Sequence, residues 1–247
     1  MSLAYFLFHG ELNFFLPRRH RNKTIEHPFD WQASIKDMIE SLGVPHPEIE
    51  LILVNGAPVD FNYIVKPDDR VEVHPDFTIV EANGKLPLRP PLANPPRFIL
   101  DQHLGRLAAY LRMMGFDTLY RNDYHDEELS EVSAREARIL LTRDIGLLKR
   151  SIVTYGYYVR ETRPPRQIVE VMRRYKLVEN AGPFRRCLKC NGILEKVAKE
   201  DILERLPDNS VRFYDEFHRC TTCDQIYWKG SHFERMQELI TKVLETE

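Results

Sequence analysis

Apolar residues in the first eighty positions come in short alternating bursts rather than long helical stripes. LAYFLFHG and the apolar positions around Asn13-Phe14-Phe15 predict a hairpin. In WQASIKDMIESLG, Ile35, Met38, Ile39 and Leu42 recur at helical spacing, and Gly43 supplies a natural stop. EIELILVNG predicts a strand ending on the turn dipeptide Asn55-Gly56. DDRVEVHP predicts a late strand with Val71 and Val73 alternating to one face. This mixture of strands and one helix is an α+β pattern.

The VNG and DDRVEV stretches resemble the β-grasp, ubiquitin-like fold of sulfur-carrier proteins. Those carriers end in a free Gly-Gly, whereas here the chain runs on past Val80, so the resemblance implies a binding or regulatory module rather than carrier chemistry. Residues 81–97, EANGKLPLRPPLANPPR, hold five prolines and predict an extended, semi-rigid connector.

Beyond it the period changes. Phe98-Ile99-Leu100 is a short apolar run ending in Asp101, followed by a helix over HLGRLAAYLRMMG with Leu104, Leu107, Ala108, Leu111 and Met114 on one face. Residues 116–119 predict a strand, DEELSEVSAREA a helix capped by Asp126, and RILLT a strand ending against Arg143 and Asp144. IVTYG and YYV are strand-like, and PPRQIVEVMRRY is a proline-started helix. Alternating strands and helices predict a mostly parallel sheet with helices on its faces.

Charge refines this division. Residues 1–80 carry 7 basic and 12 acidic groups, 98–182 carry 14 and 12, and 183–247 carry 11 and 12. The net charge of -2 does not mark the chain as a nucleic-acid binder, but the stretch from Lys149 to Lys176 is locally basic. Lys149, Arg150, Arg160, Arg163, Arg166, Arg173, Arg174 and Lys176 face only Glu161 and Glu170 there, so this is the candidate surface for tracking a nucleic-acid backbone. Tyr155, Tyr157 and Tyr158 interleave as base-stacking or core aromatics. No apolar run reaches 18 residues, and MSLAYFLFHGELNFF lacks a basic segment and cleavage site, so the expected address is the cytoplasm.

Two sets of residues carry candidate chemistry. In open parallel sheets, ligands bind beyond the carboxyl ends of strands, where Asp101 and Asp144 fall. Asp123, Asp126, Glu127 and Glu128 are candidates for a third acid, and converging carboxylates suit a hard ion such as Mg²⁺ or Mn²⁺. Each acid is equally readable as a turn, cap or helix-dipole residue. The second set is Cys187-Leu-Lys-Cys190 and Cys220-Thr-Thr-Cys223, two knuckles 29 residues apart. That spacing suits a closed Cys₄ zinc site with a structural role, with redox activity as the competing reading. Trp228 is expected as an aromatic anchor, and His232 as a cap for a terminal helix over FERMQELITKVL, with phosphate binding or proton donation as the alternatives.

FILDQHLGRLAAYLRMMGFDT, DYHDEELSEVSAREARILLTRD and the two knuckles closing with YWKGSH resemble the Mut-seven C-terminal RNase domain family. The resemblance covers nearly the whole chain. It implies a ubiquitin-like β-grasp domain over 1–80, a proline-rich linker over 81–97, an α/β PIN-like three-layer nuclease core over 98–182, and a Cys₄ zinc ribbon with a C-terminal helix over 183–247. It implies metal-dependent hydrolysis of RNA, with Asp101, Asp144 and either Asp126 or Glu127 as catalytic acids, and Asp101 and Asp144 on Mg²⁺ or Mn²⁺. Arg106 and Arg112 match the family's helix motif, and with Arg143, Lys149, Arg150, Arg160 and Arg163 they are the expected substrate-binding residues. RNA is the expected partner, with a protein partner for the N-terminal domain. Alternative readings are a non-catalytic RNA-binding adaptor and a toxin-like nuclease held inactive by the acidic N-terminal module.

Overall fold

The structure is a computed structural model and describes residues 2–76, 87–182, 185–228, 230, 238 and 241. The chain divides into two compact units, residues 1–92 with 144–158 and residues 93–143 with 159–247.

Unit 1 opens with β1 (Ser2–Phe8), β2 (Ile25–Phe29), α1 (Ile35–Ser41), β3 (Leu51–Val54), β4 (Ala57–Pro58) and β5 (Arg70–His74). They form a five-stranded sheet in the order β2-β1-β5-β3-β4, with the central β1 and β5 parallel. Alternation places Ala4, Phe6 and Phe8 of β1 and Val71 and Val73 of β5 in one core with Ile35, Met38 and Ile39 of α1. Ser34 caps that helix, its hydroxyl accepting from the Asp37 amide at 3.2 Å. The β3–β4 turn takes the left-handed backbone its sequence predicts, with φ of 51° at Asn55 and 82° at Gly56.

The predicted hairpin through Asn13-Phe14-Phe15 does not form. Those residues lie in a short 3₁₀ turn (Gly10–Phe15), and β1 pairs instead with β2, Ser2 opposite Phe29. The reason is local bonding: the Asn13 amide donates to the carbonyls of Phe8 (2.8 Å) and Gly10 (3.1 Å) and its oxygen accepts from the Asn22 amide (2.7 Å). Asparagine side chains that satisfy the backbone in this way compete with a strand ladder.

Unit 2 begins with β6 (Phe98–Leu100), α2 (Gly105–Met113), β7 (Thr118–Tyr120), α3 (Asp126–Glu136) and β8 (Ile139–Thr142). Strand β6 is central, pairing in parallel with β7 and with β8. Phe98, Ile99 and Leu100 and all of Ile139, Leu140 and Leu141 are buried, as expected of parallel strands covered on both faces.

Residues 144–158 belong to unit 1. They form α4 (Ile145–Leu148) and β9 (Gly156–Tyr158), and of IVTYG only Gly156 lies in a strand. The His46 ring bridges the Glu40 carboxylate and the Val153 carbonyl, both at 2.7 Å. Arg89 donates to the carbonyls of Pro47, Ile49 and Thr154 and pairs with Glu50. Tyr158 packs its ring on Phe14 and Phe15.

The remainder of unit 2 contains α5 (Pro164–Arg174), β10 (Leu194–Val197), α6 (Asp208–Phe213), β11 (Phe217–Cys220) and β12 (Ile226–Trp228). Helix α5 buries Ile168, Val171 and Met172 and packs on α2. The last three strands form an antiparallel sheet over a small core of Ile202, Leu206, Phe217 and Ile226, against which Trp228 packs. His232 and the predicted terminal helix lie outside the described residues, apart from Glu238 and Thr241. Among the described residues no helix is long and apolar enough to cross a membrane.

Candidate functional site

Asp101 ends the central strand of unit 2 and is buried, with 6% exposure. Its amide donates to Leu141 O (3.1 Å), which holds it in line with β8, and its Oδ2 accepts from the Thr142 hydroxyl at 2.8 Å. The next strand end carries Tyr120, whose hydroxyl donates to Gln102 O at 2.9 Å. A Cβ on Gly105 would meet that hydroxyl at 2.6 Å, so any larger residue there would have to push the Tyr120 ring aside. Arg121 follows, bonded to Asp123 (3.1 Å) and Glu128 (2.8 Å) and lying 4.2 Å over the Tyr124 ring.

Asp126 and Glu127 are exposed on the first turn of α3, where the helix dipole favours negative charge. The residue at the cap is His125, without a side-chain cap bond, so Asp126 begins the helix rather than capping it. Among the described residues, the carboxylates of Asp101, Asp126 and Glu127 do not all lie within 4.8 Å of one another. Asp144, in unit 1, caps α4: its Oδ1 accepts from the amides of Gly146 (2.6 Å) and Leu147 (3.2 Å).

The candidate RNA-binding cations fall into three groups. Arg106 and Arg163 are exposed, and Arg150 and Arg160 half-buried. Arg143 donates to the carbonyls of Val159, Arg160 and Glu161 at 2.7, 3.0 and 2.8 Å, which organises the segment leading into α5. Lys149 donates to Glu40 O, and burial holds its ammonium below the usual lysine range. Of the tyrosines considered for base stacking, Tyr155 and Tyr157 are buried within unit 1.

The cysteines converge fully. All four sulfurs lie within 4.8 Å of one another, with Cys187 3.6 Å from Cys223 and Cys190 3.4 Å from Cys220. A tetrahedral Zn–S₄ centre has sulfur separations of about 3.8 Å, so these thiols can hold a metal ion and their spacing is consistent with zinc. The two knuckles repeat one backbone plan. Each first-cysteine carbonyl accepts the amide of the residue after the second cysteine, Asn191 (2.9 Å) or Asp224 (3.1 Å), and both of those residues have positive φ. Burial pushes the Cys220 thiol up, but the amides of Cys223 and Thr222 outweigh it and bring it down to about 7.

The first knuckle is bonded into the parallel-sheet core. Arg112 is buried, its Nε donating to Thr118 O (2.9 Å) and its Nη1 to the carbonyls of Leu188 (2.9 Å) and Lys189 (3.1 Å). Asn191 accepts from the Thr118 amide (2.9 Å) and donates to Asp117 (2.8 Å). Asp117 also accepts from Arg138 at 2.8 Å. Burial raises the Asp117 carboxyl, but the bonds from Arg138 and Asn191 and the charges of Arg138 and Arg186 outweigh it, leaving it below the usual carboxylate range. Asp117, Asn191, Tyr120, Arg121 and Thr142 were not singled out from sequence. Only Asn191 had a local signal there, as an asparagine directly after a knuckle, where a left-handed residue is needed.

Comparison with protein families gives two matches. The model for the Mut7-C RNAse domain matches residues 96–240, more than half of the chain, and the model for the Mut7-C ubiquitin domain matches residues 1–81. No curated protein and no solved structure gives a match.

Proposed function

The chain belongs to the Mut7-C RNAse domain family, and from that premise we propose that it is a metal-dependent ribonuclease hydrolysing RNA phosphodiester bonds. The observation that carries the reading is Asp101, a buried carboxylate at the end of the central parallel strand, where open α/β sheets bind their ligands. Thr142 fixes its orientation with a single hydroxyl bond. Asp144 follows Thr142 by two residues, so covalent geometry keeps their Cα atoms within about 7 Å.

Asp101 and Asp144, with Asp126 or Glu127 from the first turn of α3, make an all-oxygen donor set that fits Mg²⁺ or Mn²⁺. An ion bound there supplies charge neutralisation at the phosphate and lowers the pKa of a coordinated water. The remaining work falls to the chain. Thr142 holds the Asp101 carboxylate in one rotamer, Arg106, Arg150 and Arg163 bind the RNA backbone, and Arg143 sets the segment that presents Arg160. The Cys₄ centre holds zinc with all four positions filled by sulfur, a structural role. The functional modules are the ubiquitin-like domain (1–80), linker (81–97), PIN-like nuclease core (98–182) and ribbon (183–247).

Asp101→Asn and Asp144→Asn, assayed on a mixed RNA pool with Mn²⁺, Mg²⁺ or chelator, are each expected to cut turnover by about 100-fold or more. Their melting temperatures should stay near that of the unsubstituted chain. Unchanged cleavage by either variant sinks the assignment of that residue, and by both, the mechanism. A second reading, a non-catalytic RNA-binding platform, is favoured by the separation of the Asp101, Asp126 and Glu127 carboxylates. RNA retained intact by folded, metal-loaded protein would establish it instead.

A further inference from the structure

A second cluster of ligand side chains lies in unit 1 and includes none of the residues given a functional role above. His9 directly follows β1, and its amide donates to Val73 O at 2.9 Å, which carries the β1–β5 register one residue beyond the strand. Glu72 and His74 alternate with Val71 and Val73 on β5, so they share the sheet face opposite the one packed on α1. The His9 and His74 rings stack at 3.9 Å with their planes 10° apart. Their Nε2 atoms stand 3.2 Å and 3.8 Å from one oxygen, Glu72 Oε2.

The buried member of this cluster is unsatisfied. The His74 side chain is 5% exposed, and among the described residues its Nε2 has no hydrogen-bond partner. A buried polar atom left in that state destabilises the fold unless a partner is supplied. The bond that would relieve it cannot come from Glu72 at 3.8 Å, which is beyond hydrogen-bonding range.

We propose that His9 Nε2, His74 Nε2 and Glu72 Oε2 form a second zinc site, on the ubiquitin-like module. Two imidazoles and a carboxylate are a donor set for zinc and similar borderline divalent ions. Ligands at 2.0–2.1 Å around a tetrahedral ion are about 3.3 Å apart. The His9–Glu72 separation of 3.2 Å already meets that distance, while ligation by His74 needs it to close on Glu72 by about half an ångström and one of the two stacked rings to turn so that both lone pairs meet at one ion. His9 and Glu72 have side-chain exposures of 36% and 45%, so the ion is reachable from solvent. With three protein ligands the fourth position is left to water or an outside ligand, unlike the closed cysteine centre.

The test counts zinc in the tag-free full-length chain after dialysis against micromolar zinc, beside His9→Gln, Glu72→Gln and His74→Gln, with circular dichroism to report folding. Each variant is expected to hold one zinc fewer per chain than the unsubstituted protein. That difference does not depend on how the cysteine centre is loaded or on whether the chain cleaves RNA. If the buried His74→Gln fails to fold, the two exposed positions carry the decision. Equal zinc content in the unsubstituted protein and the folded variants overturns the proposal.

Discussion

The cysteine centre and the carboxylate edge around Asp101 are both candidate metal sites in one fold, and they are built on opposite plans. At the cysteines every ligand is already within 4.8 Å of the others, and Arg112, Asn191 and Asp117 bond the first knuckle into the sheet core. At the edge, one buried acid is fixed by one hydroxyl, while Asp126 and Glu127 remain exposed on a helix start. The first arrangement suits an ion that stays for the life of the fold. The second, on the ribonuclease reading proposed above, would serve an ion and a phosphate that come and go. A ligand set that closes on itself belongs to stability, and one left open belongs to turnover.

Metal removal should separate the two most sharply. Brief chelation is expected to abolish RNA cleavage reversibly, with recovery on adding Mn²⁺. Harsh stripping of thiolate-held zinc should instead open residues 185–228 to protease, since in small Cys₄ modules metal binding supplies about 10 kcal/mol of folding free energy. Limited proteolysis beside an activity assay reads both, and loss of ribbon protection on brief chelation would erase the distinction.

Breaking the tie between knuckle and core should have a smaller effect. Arg112→Met leaves the carbonyls of Thr118, Leu188 and Lys189 without their donor, at a cost of about 3 kcal/mol. Denaturant unfolding measures it. A loss no larger than that of an exposed arginine such as Arg106→Met would mean that Arg112 does not hold the knuckle to the core.

The smallest effect is set by pH. Asp117 has a folded pKa below its unfolded one, so its contribution is present above the unfolded carboxylate pKa and lost as pH falls through the folded value. Asp117→Asn should therefore cost about 1 kcal/mol at neutral pH and flatten the acid limb of the stability curve. Melting temperatures from pH 7 downward give the profile, and parallel curves for the two proteins would remove Asp117 from the tie.

Much of this was legible from the residues. Strand alternation at Ala4, Phe6 and Phe8, helical spacing at Ile35, Met38 and Ile39, the Asn55-Gly56 turn and the paired knuckles all act over a few neighbouring positions. What escaped was set at long range or by side-chain bonds to backbone. The Asn13 amide turned an apolar segment into a 3₁₀ turn. The partners of Arg112 are carbonyls, which leave no mark on sequence, and Asn191 meets Asp117 from 74 positions away. His46 and Val153 are 107 positions apart, and bonds of that reach recruit residues 144–158 into unit 1.

That recruitment bears on how the protein is made. A ribosome releasing the chain from its amino end delivers residues 1–92 first, yet the unit they belong to is incomplete until Tyr158 has emerged. The Val153 carbonyl that accepts from His46 and the Tyr155 hydroxyl that bonds Pro90 are both synthesised late. The nascent amino-terminal module therefore gains these bonds only after residues 93–143 have been made, although its buried core from Ala4 to Val73 is synthesised early. A gene fragment cut at the proline-rich connector encodes a module without residues 144–158, the last stretch of its unit.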